Sequence, residues 1–300
     1  MTAVITPTPT ETPERRRSRR RLNQPSVLET VLTYVTLVLI VLISLFPFYW
    51  MIRTAFTPSS DAFSTDPTLL PAQITWDNLV RVLTSDNMPF VQQFWNTAVV
   101  SFATTGIVLL FGITGAYALA RLQFVGRRQF GMALLVVQMF PGVLLIIPLF
   151  VLMVRLNLDN THLGLVLAYS TGALPFTVWF LRSYFLSIPE ELGDAGRIDG
   201  CTHLGVLFRI VLPLARPGVA AVATLSVVNA WNEFLLAFVL INDIDKKVLS
   251  VGLSSFIEQF RSDYTGLFAA ATLTTLPIVI IFLLFQRHLV GGLAAGGVKG

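Results

Sequence analysis

Long apolar stretches alternate with short polar connections along most of the 300-residue chain. Five windows contain no Asp, Glu, Lys or Arg: Thr30–Ile52, Asn87–Ala120, Gln129–Val154, Asn160–Leu181 and Tyr264–Gln286. A sixth apolar run, Pro217–Ile241, is interrupted only by Glu233. Each run supplies the roughly 20 residues that a membrane-spanning helix requires. The pattern therefore predicts an all-α polytopic membrane protein with six transmembrane helices.

Composition supports this class of protein. Charged residues make up 13% of the chain, whereas soluble domains contain about 25%. The apolar runs lack period-two alternation and are about twice as long as the strands of a membrane barrel, so strands are not expected. The single cysteine, Cys201, excludes an internal disulfide framework.

The distribution of positive charge predicts the topology. An even number of spans places both termini on one side of the membrane. If that side is the cytoplasm, the inner segments contain 15 of the 21 Lys and Arg residues. Because inner loops are enriched in positive charge, we expect a multi-pass protein of the cytoplasmic membrane whose N- and C-termini are both cytoplasmic.

The N-terminal 25 residues differ from the rest of the chain. They are rich in Thr and Pro and contain six arginines between Arg15 and Arg21. A basic run can bind nucleic acid, but its position just before a spanning helix favours a lipid-facing anchor. We therefore divide the chain into a disordered basic tail, residues 1–25, and a transmembrane domain, residues 26–300, with no nucleic-acid partner.

A polar segment, residues 182–216, separates two of the spans and is expected to be cytoplasmic. The spacing Ser187-x-x-Glu190 is that of a helix capping box, and acidic groups at Glu190 and Glu191 suit the positive end of a helix. The segment is therefore predicted to begin with a helix capped by Ser187.

Small residues make that helix unusual, because Gly193, Ala195 and Gly196 leave it with little side-chain bulk. Each glycine costs about 1 kcal/mol relative to alanine inside a helix. A helix that fits closely into a cleft of another protein would explain that cost; the alternative is an amphipathic loop lying on the lipid headgroups. Gly200 is expected to end the helix or adopt a positive φ, and Asp199 to cap the next turn.

Polar residues inside the predicted spans suggest a path for a solute. Glu233 lies about 12 Å along the helix from Ile241, close to mid-bilayer, where a charged group must face protein or water. Polar side chains recur on one face of this span and on the second span, and the candidate path residues are Asn229, Asn232, Glu233, Thr97 and Ser101. Such stripes also suit polar contacts between helices.

Recognisable catalytic motifs are missing. The chain has no G-x-x-x-x-G-K-[ST] phosphate loop and no His or Cys spacing typical of a metal site. We therefore predict a protein that provides a path for a solute and is not itself an enzyme. It is expected to have no catalytic residues, no metal ligands and no bound cofactor. Two alternatives stay open from these residues: an ion-coupled secondary transporter, and a membrane enzyme such as a glycosyl transferase.

Several ordered motifs resemble one family. Residues 188–201 and 208–217 resemble the EAA loop of bacterial ABC importer permeases, and the chain from about Pro25 onward is similar to the maltose-type, MalG-like permeases. Further matching stretches are 117–126, 139–142, 230–234 and 291–300. Two positions depart from the motif: the Glu-Ala-Ala of the family is Asp194-Ala195-Gly196, and Cys201 replaces an alanine.

The resemblance implies a type I ABC importer permease fold and import of a sugar or oligosaccharide by alternating access. Its implied partners are a second, MalF-like permease, two MalK-like ATPase subunits that hold ATP and Mg, and an extracellular solute-binding protein. The residues that would couple this chain to the ATPase are Glu190, Glu191, Asp194, Ala195, Gly196, Asp199 and Gly200. The resemblance does not identify the sugar.

Overall fold

A computed structural model describes residues 26–62, 68–71, 73–85, 88–257 and 263–297, with side chains up to residue 286. The predicted basic tail, residues 1–25, lies outside this range, and so do the last three residues of the glycine-rich C-terminus. The described part of the chain is helical and contains no strand. This confirms the all-α prediction.

The chain divides into two units, residues 1–50 and 51–300. The described part of the first unit is helix α1, Val27–Ala55, whose last turn belongs to the second unit. A capping box begins α1: the Glu29 carboxylate accepts a hydrogen bond from Ser26 N (2.8 Å), and the Ser26 hydroxyl accepts one from Glu29 N (3.2 Å).

The second unit contains eleven further helices in its described part. In chain order they are α2 Asp77–Thr84, α3 Phe90–Arg121, α4 Arg127–Met139, α5 Ile146–Arg155, α6 His162–Leu186, α7 Glu190–Ile198, α8 His203–Leu214, α9 Arg216–Asn232, α10 Leu235–Leu240, α11 Leu249–Ser254 and α12 Tyr264–Gly297. Helix α8 includes a π-helical turn, Leu207–Val211.

Four of these helices, α1, α3, α6 and α12, are long and apolar enough to cross a membrane alone. Two bent pairs raise the number of candidate spans to six: α4 with residues 142–155, bent by 98°, and α8 with α9, bent by 83°. The predicted count of six spans is thus the upper value that the structure allows.

Two spans differ from the continuous helices that hydropathy predicts. The third breaks after Met139, where Phe140 is extended (ψ 128°) because it precedes Pro141. The fifth was predicted as one helix over residues 217–241, but α9 ends at Asn232 and α10 begins at Leu235. Because the residues on both sides of each break are apolar, the hydropathy pattern does not indicate the break.

Glycines allow close contacts between helices of the bundle. Helix α3 packs along α6, and a Cβ atom at Gly112 would overlap the Thr177 side chain. A Cβ atom at Gly218 on α9 would lie 2.7 Å from the Tyr184 ring. Small residues allow such approach between membrane helices, where van der Waals packing rather than the hydrophobic effect drives association.

Candidate functional site

Helix α7 lies at the end of the bundle where α3 and α6 terminate. It begins directly after Pro189, an N-cap residue without a side-chain cap. The capping box predicted for Ser187 is wrong, because Ser187 ends α6 instead and its hydroxyl donates to Tyr184 O at 2.7 Å. Proline can occupy this position because the first N–H groups of a helix have no intrahelical partner.

The C-terminus of α7 forms a Schellman motif. Cys201 N donates to Gly196 O (2.9 Å) and Gly200 N donates to Arg197 O (3.1 Å). Gly200 adopts φ +87°, as this motif requires, so its predicted positive φ is confirmed. The expectation that Asp199 caps the next turn is wrong: Thr202 does so, through a 3.1 Å bond from Gly205 N.

The glycines of α7 face the same chain. Gly196 is buried, and a Cβ atom there would overlap the end of the Ile210 side chain. A Cβ atom at Gly193 would lie 3.5 Å from Val206. The glycines are therefore explained by the packing of α7 on α8 of the same chain, and not by a cleft in another protein. Helix α8 is held in the bundle by the buried side chain of Leu207.

The opposite face of α7 is open to solvent. Two apolar side chains project from it, Ile198 with 87% and Leu192 with 43% of its surface exposed. Their polar and small neighbours are exposed as well: Glu191, Asp194, Ala195 and Asp199. We call these six residues the outer face of α7. The four polar and small members were among the ATPase-coupling residues predicted from the sequence, whereas the two apolar members were not.

Arg121, the last residue of α3, connects this helix to α7. Its side chain is 12% exposed. Its guanidinium donates to Phe185 O (2.8 Å) and Ile188 O, and pairs with the Glu190 carboxylate at 3.1 Å. Glu190, predicted as an ATPase contact, thus forms an ion pair within this chain, and 73% of its side-chain surface is exposed. From the sequence, Arg121 was one of the inner positive charges and part of the matching stretch 117–126, with no predicted contact to Glu190.

Substitutions at Gly200 test the need for this turn. We expect Gly200→Val to destabilise the protein by about 1–2 kcal/mol, because a left-handed backbone costs most L-residues that much. Gly200→Asn is the matched control and should lose less stability, since Asn tolerates this conformation. Equal melting temperatures of the two purified variants would contradict the need for glycine at this turn.

A second site lies within the bundle. A cavity of about 410 Å³ is bordered by both helix breaks, with Gly142 from the first and Glu233 from the second. Its polar lining also includes Thr104, Tyr169, Thr171, Thr177, Ser226 and Asn229. Irregular backbone at membrane depth is tolerated only where it is buried in protein or lines a water-filled cavity.

Glu233 stabilises the break at which it lies. Its carboxylate accepts a hydrogen bond from Leu236 N at 3.0 Å and thereby caps α10. Its carbonyl accepts from the hydroxyls of Ser250 (2.6 Å) and Tyr169 (3.4 Å). The side chain therefore has a structural role in addition to lining the cavity.

Of the other four predicted path residues, one lines the cavity and three do not. Asn229 lines the cavity, but Asn232 is exposed and donates to Val228 O at 2.8 Å. Thr97 and Ser101 are buried and do not line the cavity. The Thr97 hydroxyl accepts a hydrogen bond from Leu249 N at 2.8 Å, so it ties α3 to the start of α11.

Across the described residues, no group of three or more His, Cys, Asp or Glu side chains is arranged to hold a metal ion. The two candidate sites are the outer face of α7 at one end of the bundle and a mainly apolar cavity, with several hydroxyl and amide groups, between the helices.

Comparisons with known proteins identify one family. Residues 109–294 match the model of the binding-protein-dependent transport system inner membrane component. The inner membrane ABC transporter permease protein YcjP of Escherichia coli K12 is 38% identical over 267 residues, covering 89% of this chain and 95% of that protein. The arabinooligosaccharides transport system permease protein AraQ of Halalkalibacterium halodurans is also 38% identical, covering 87% and 93%.

Solved structures share the fold. A bacterial ABC transporter involved in the import of the acidic polysaccharide alginate matches with a TM-score of 0.76 at 24% identity. The match covers 93% of this chain and 99% of the other chain. It confirms the type I importer permease fold, and the relatives confirm the resemblance to sugar permeases.

Proposed function

This chain belongs to the family of binding-protein-dependent transport system inner membrane components, and we propose that it is one permease subunit of an ATP-driven importer for a sugar or oligosaccharide. Its relatives are membrane permeases rather than enzymes. The observation that carries the proposal is the outer face of α7, an exposed helix surface held by Arg121 against two membrane helices.

The outer face of α7 is proposed as the contact with an ATPase subunit. A cleft that accepts it would bury Ile198 and Leu192, which are exposed here. Each fully buried side chain of this type contributes about 1.5–3 kcal/mol. The importer would contain two MalK-like ATPase subunits, which hold ATP and Mg, and a second, MalF-like permease.

Arg121 is proposed to transmit motion from α7 to the bundle. It joins the last turn of α3, the C-terminus of α6 and the first turn of α7 through one guanidinium. Because α3 packs along α6 over most of its length, a displacement of α7 would move both helices together. Closure of the ATPase dimer would then open the bundle toward the outside, and ATP hydrolysis would reset it.

The cavity between the helix breaks is proposed as part of the solute path. Its hydroxyl and amide groups can exchange hydrogen bonds with sugar hydroxyls, and the lining contains two aromatic rings, Tyr169 and Phe176, that can pack against the apolar sides of a sugar. Broken helices border the solute sites of secondary transporters, so this feature supports a solute path without distinguishing the source of energy. The volume of about 410 Å³ suits one or two sugar rings.

The segment after α10 is proposed to contact the solute-binding protein. Its backbone is held by Asn96, which donates to Asp245 O (2.7 Å) and Lys247 O (2.9 Å). Asn160 accepts from the backbone N–H groups of Asn242 and Asp243, both at 3.1 Å. These bonds order the segment before any partner binds, which lowers the entropic cost of docking.

Glu233 variants test the solute path. We expect Glu233→Gln to raise the apparent KM for uptake about tenfold, because a hydrogen bond to a charged group contributes about 1.5–3 kcal/mol. The Gln side-chain oxygen can still cap α10, so the fold is preserved. Thr274→Val on α12, which lies outside the cavity lining, should leave KM unchanged. An unchanged KM for Glu233→Gln would show that Glu233 stabilises the helix break without contacting the solute.

A direct test of the proposal is reconstitution of the chain with its co-purified subunits in liposomes. We expect sugar accumulation that requires both ATP and the binding protein. Uptake that follows an ion gradient without ATP would favour a secondary transporter instead.

A further inference from the structure

We propose that a groove beside the end of α3 binds the headgroup of an anionic phospholipid. The groove has a volume of about 500 Å³ and lies between α3, α4 and α6. Three arginines line it: Arg127, Arg128 and Arg182. The inference concerns a lipid site and rests on the proposed function only for the placement of this end of the bundle at the cytoplasmic surface.

Acidic side chains are absent from the helices that form the groove, although Arg127 also borders a neighbouring pocket lined by Glu190 and Asp194. No Asp or Glu occurs between residues 87 and 158, which include all of α3 and α4, and none occurs in α6. The groove lining likewise contains no acidic residue. A concentration of guanidinium groups without a carboxylate attracts a phosphate, which Arg can bind through two parallel hydrogen bonds.

Two of the arginines are held in place by the fold. Arg127 donates to Leu119 O (2.9 Å) and Ala120 O (3.1 Å), and Arg182 donates to Leu119 O (3.3 Å). These bonds cap the last carbonyls of α3 and occupy only some of the five N–H groups that each guanidinium carries. The remaining N–H groups are available to an anion in a preorganised position.

Arg128 differs from its two neighbours because it forms no hydrogen bond or ion pair with another described residue. It lies at the start of α4, beside Arg127, and lines the same groove. An arginine that lines a basic groove, with no partner among the residues that the structure describes, is the side chain that an external phosphate would engage.

The rest of the groove suits an acyl chain rather than a free anion. Leu119, Met132 and Leu135 form an apolar wall, and Met132 and Leu135 are exposed. Trp179 completes it, with the Arg182 guanidinium 5.0 Å from its ring centroid. Tryptophan is enriched at membrane–water interfaces. Basic pockets between transmembrane helices at the cytoplasmic surface are suited to anionic lipid headgroups.

Gly131 lines the groove on α4. A Cβ atom at this position would make an ordinary van der Waals contact, 3.9 Å from the Trp179 ring, so α4 and α6 lie side by side here. Arg127 and Arg128 begin α4, and Met132 and Leu135 follow one to two turns further along it. The groove therefore offers basic groups at one end and apolar groups further along, as the phosphate and the acyl chain of a lipid require.

Native mass spectrometry of the complete importer in detergent tests the proposal. The complex would be mixed with phosphatidylglycerol or phosphatidylcholine, and retained lipids counted over a range of lipid concentrations. We expect tighter retention of phosphatidylglycerol and about fivefold weaker retention in Arg128→Gln, because each juxtamembrane arginine contributes about that factor to anionic lipid binding. Arg209→Gln, which removes an exposed arginine of α8, should not change retention.

Other outcomes would overturn the proposal. Equal retention of the two lipids, or an identical effect of Arg128→Gln and Arg209→Gln, would show that no specific headgroup site exists at this groove. Displacement of the lipid by millimolar inorganic phosphate would indicate a free-anion site. A cross-link from position 128 to another subunit in place of lipid would identify a protein interface. Because lipid retention needs no transport, these results are independent of whether the proposed import function holds.

Discussion

Replacement of Arg121 by Gln is expected to abolish sugar uptake while the importer still assembles and hydrolyses ATP. The guanidinium forms bonds to two backbone carbonyls and to the Glu190 carboxylate. A hydrogen bond to a charged group contributes about 1.5–3 kcal/mol, and a single Gln cannot span all three acceptors. Movement of α7 would then no longer reach α3. Uptake and ATP hydrolysis, both measured in proteoliposomes, check this expectation.

Two further variants distinguish coupling from loss of fold. Arg155→Gln removes the same charge from an exposed position at the end of α5 and should leave uptake unchanged. Glu190→Gln keeps Arg121 and its carbonyl bonds, so a partial loss of uptake is expected. Full uptake by Arg121→Gln, or equal losses in Arg121→Gln and Arg155→Gln, would contradict the transmission role of Arg121.

Replacement of Ile198 by Glu is expected to release the ATPase subunit from this side of the importer. Ile198 has 87% of its surface exposed, and burial of its side chain in a cleft contributes about 1.5–3 kcal/mol. A carboxylate would lose that contribution and add the cost of an unpaired charge at the interface. We expect at least a tenfold loss of uptake and a reduced ATPase content of the purified complex.

The matched control for this prediction is Ile198→Val, which keeps an apolar side chain of similar shape and should retain uptake within about twofold. Neither substitution affects packing on α8, because Ile198 lies on the outer face of α7. A complex of Ile198→Glu with a full complement of ATPase subunits and normal uptake would show that the outer face of α7 is not the docking surface.

Some features of the fold could be predicted because they depend on composition over long windows. The membrane-length helices follow from the absence of charge across 20 or more residues. Their interruptions could not be predicted in the same way. The apolar residues of α9 and α10 continue through the break at Glu233, so only the hydrogen bonds from Ser250 and Leu236 show why the backbone can leave the helix there.

Local motifs were less reliable than long patterns. Within the described residues, the spacing Ser-x-x-Glu occurs at Ser26 and at Ser187, and only the first forms a capping box. At Ser187 the preceding helix α6 extends up to the serine, whose hydroxyl bonds back to Tyr184. The pattern alone does not specify whether a residue begins one helix or ends another.

For the α7 site, the sequence indicated which residue types matter, but not which residues they contact. The glycines of α7 indicated a close approach, yet the approaching group is Ile210 of the same chain. Arg121 lies 69 residues before Glu190 in the sequence, so no local pattern connects them. Only tertiary packing brings the end of α3 to the start of α7.

Site-specific photo-crosslinking in the native membrane tests the coupling role of α7 most directly. A photoreactive residue would replace Ile198 on the outer face or, as a control, Ile210, which packs against Gly196. We predict a covalent adduct with an ABC ATPase subunit at position 198 and none at position 210. An adduct with lipid alone at position 198, or no ATPase adduct while the importer remains active, would contradict the proposal that this helix couples the permease to ATP hydrolysis.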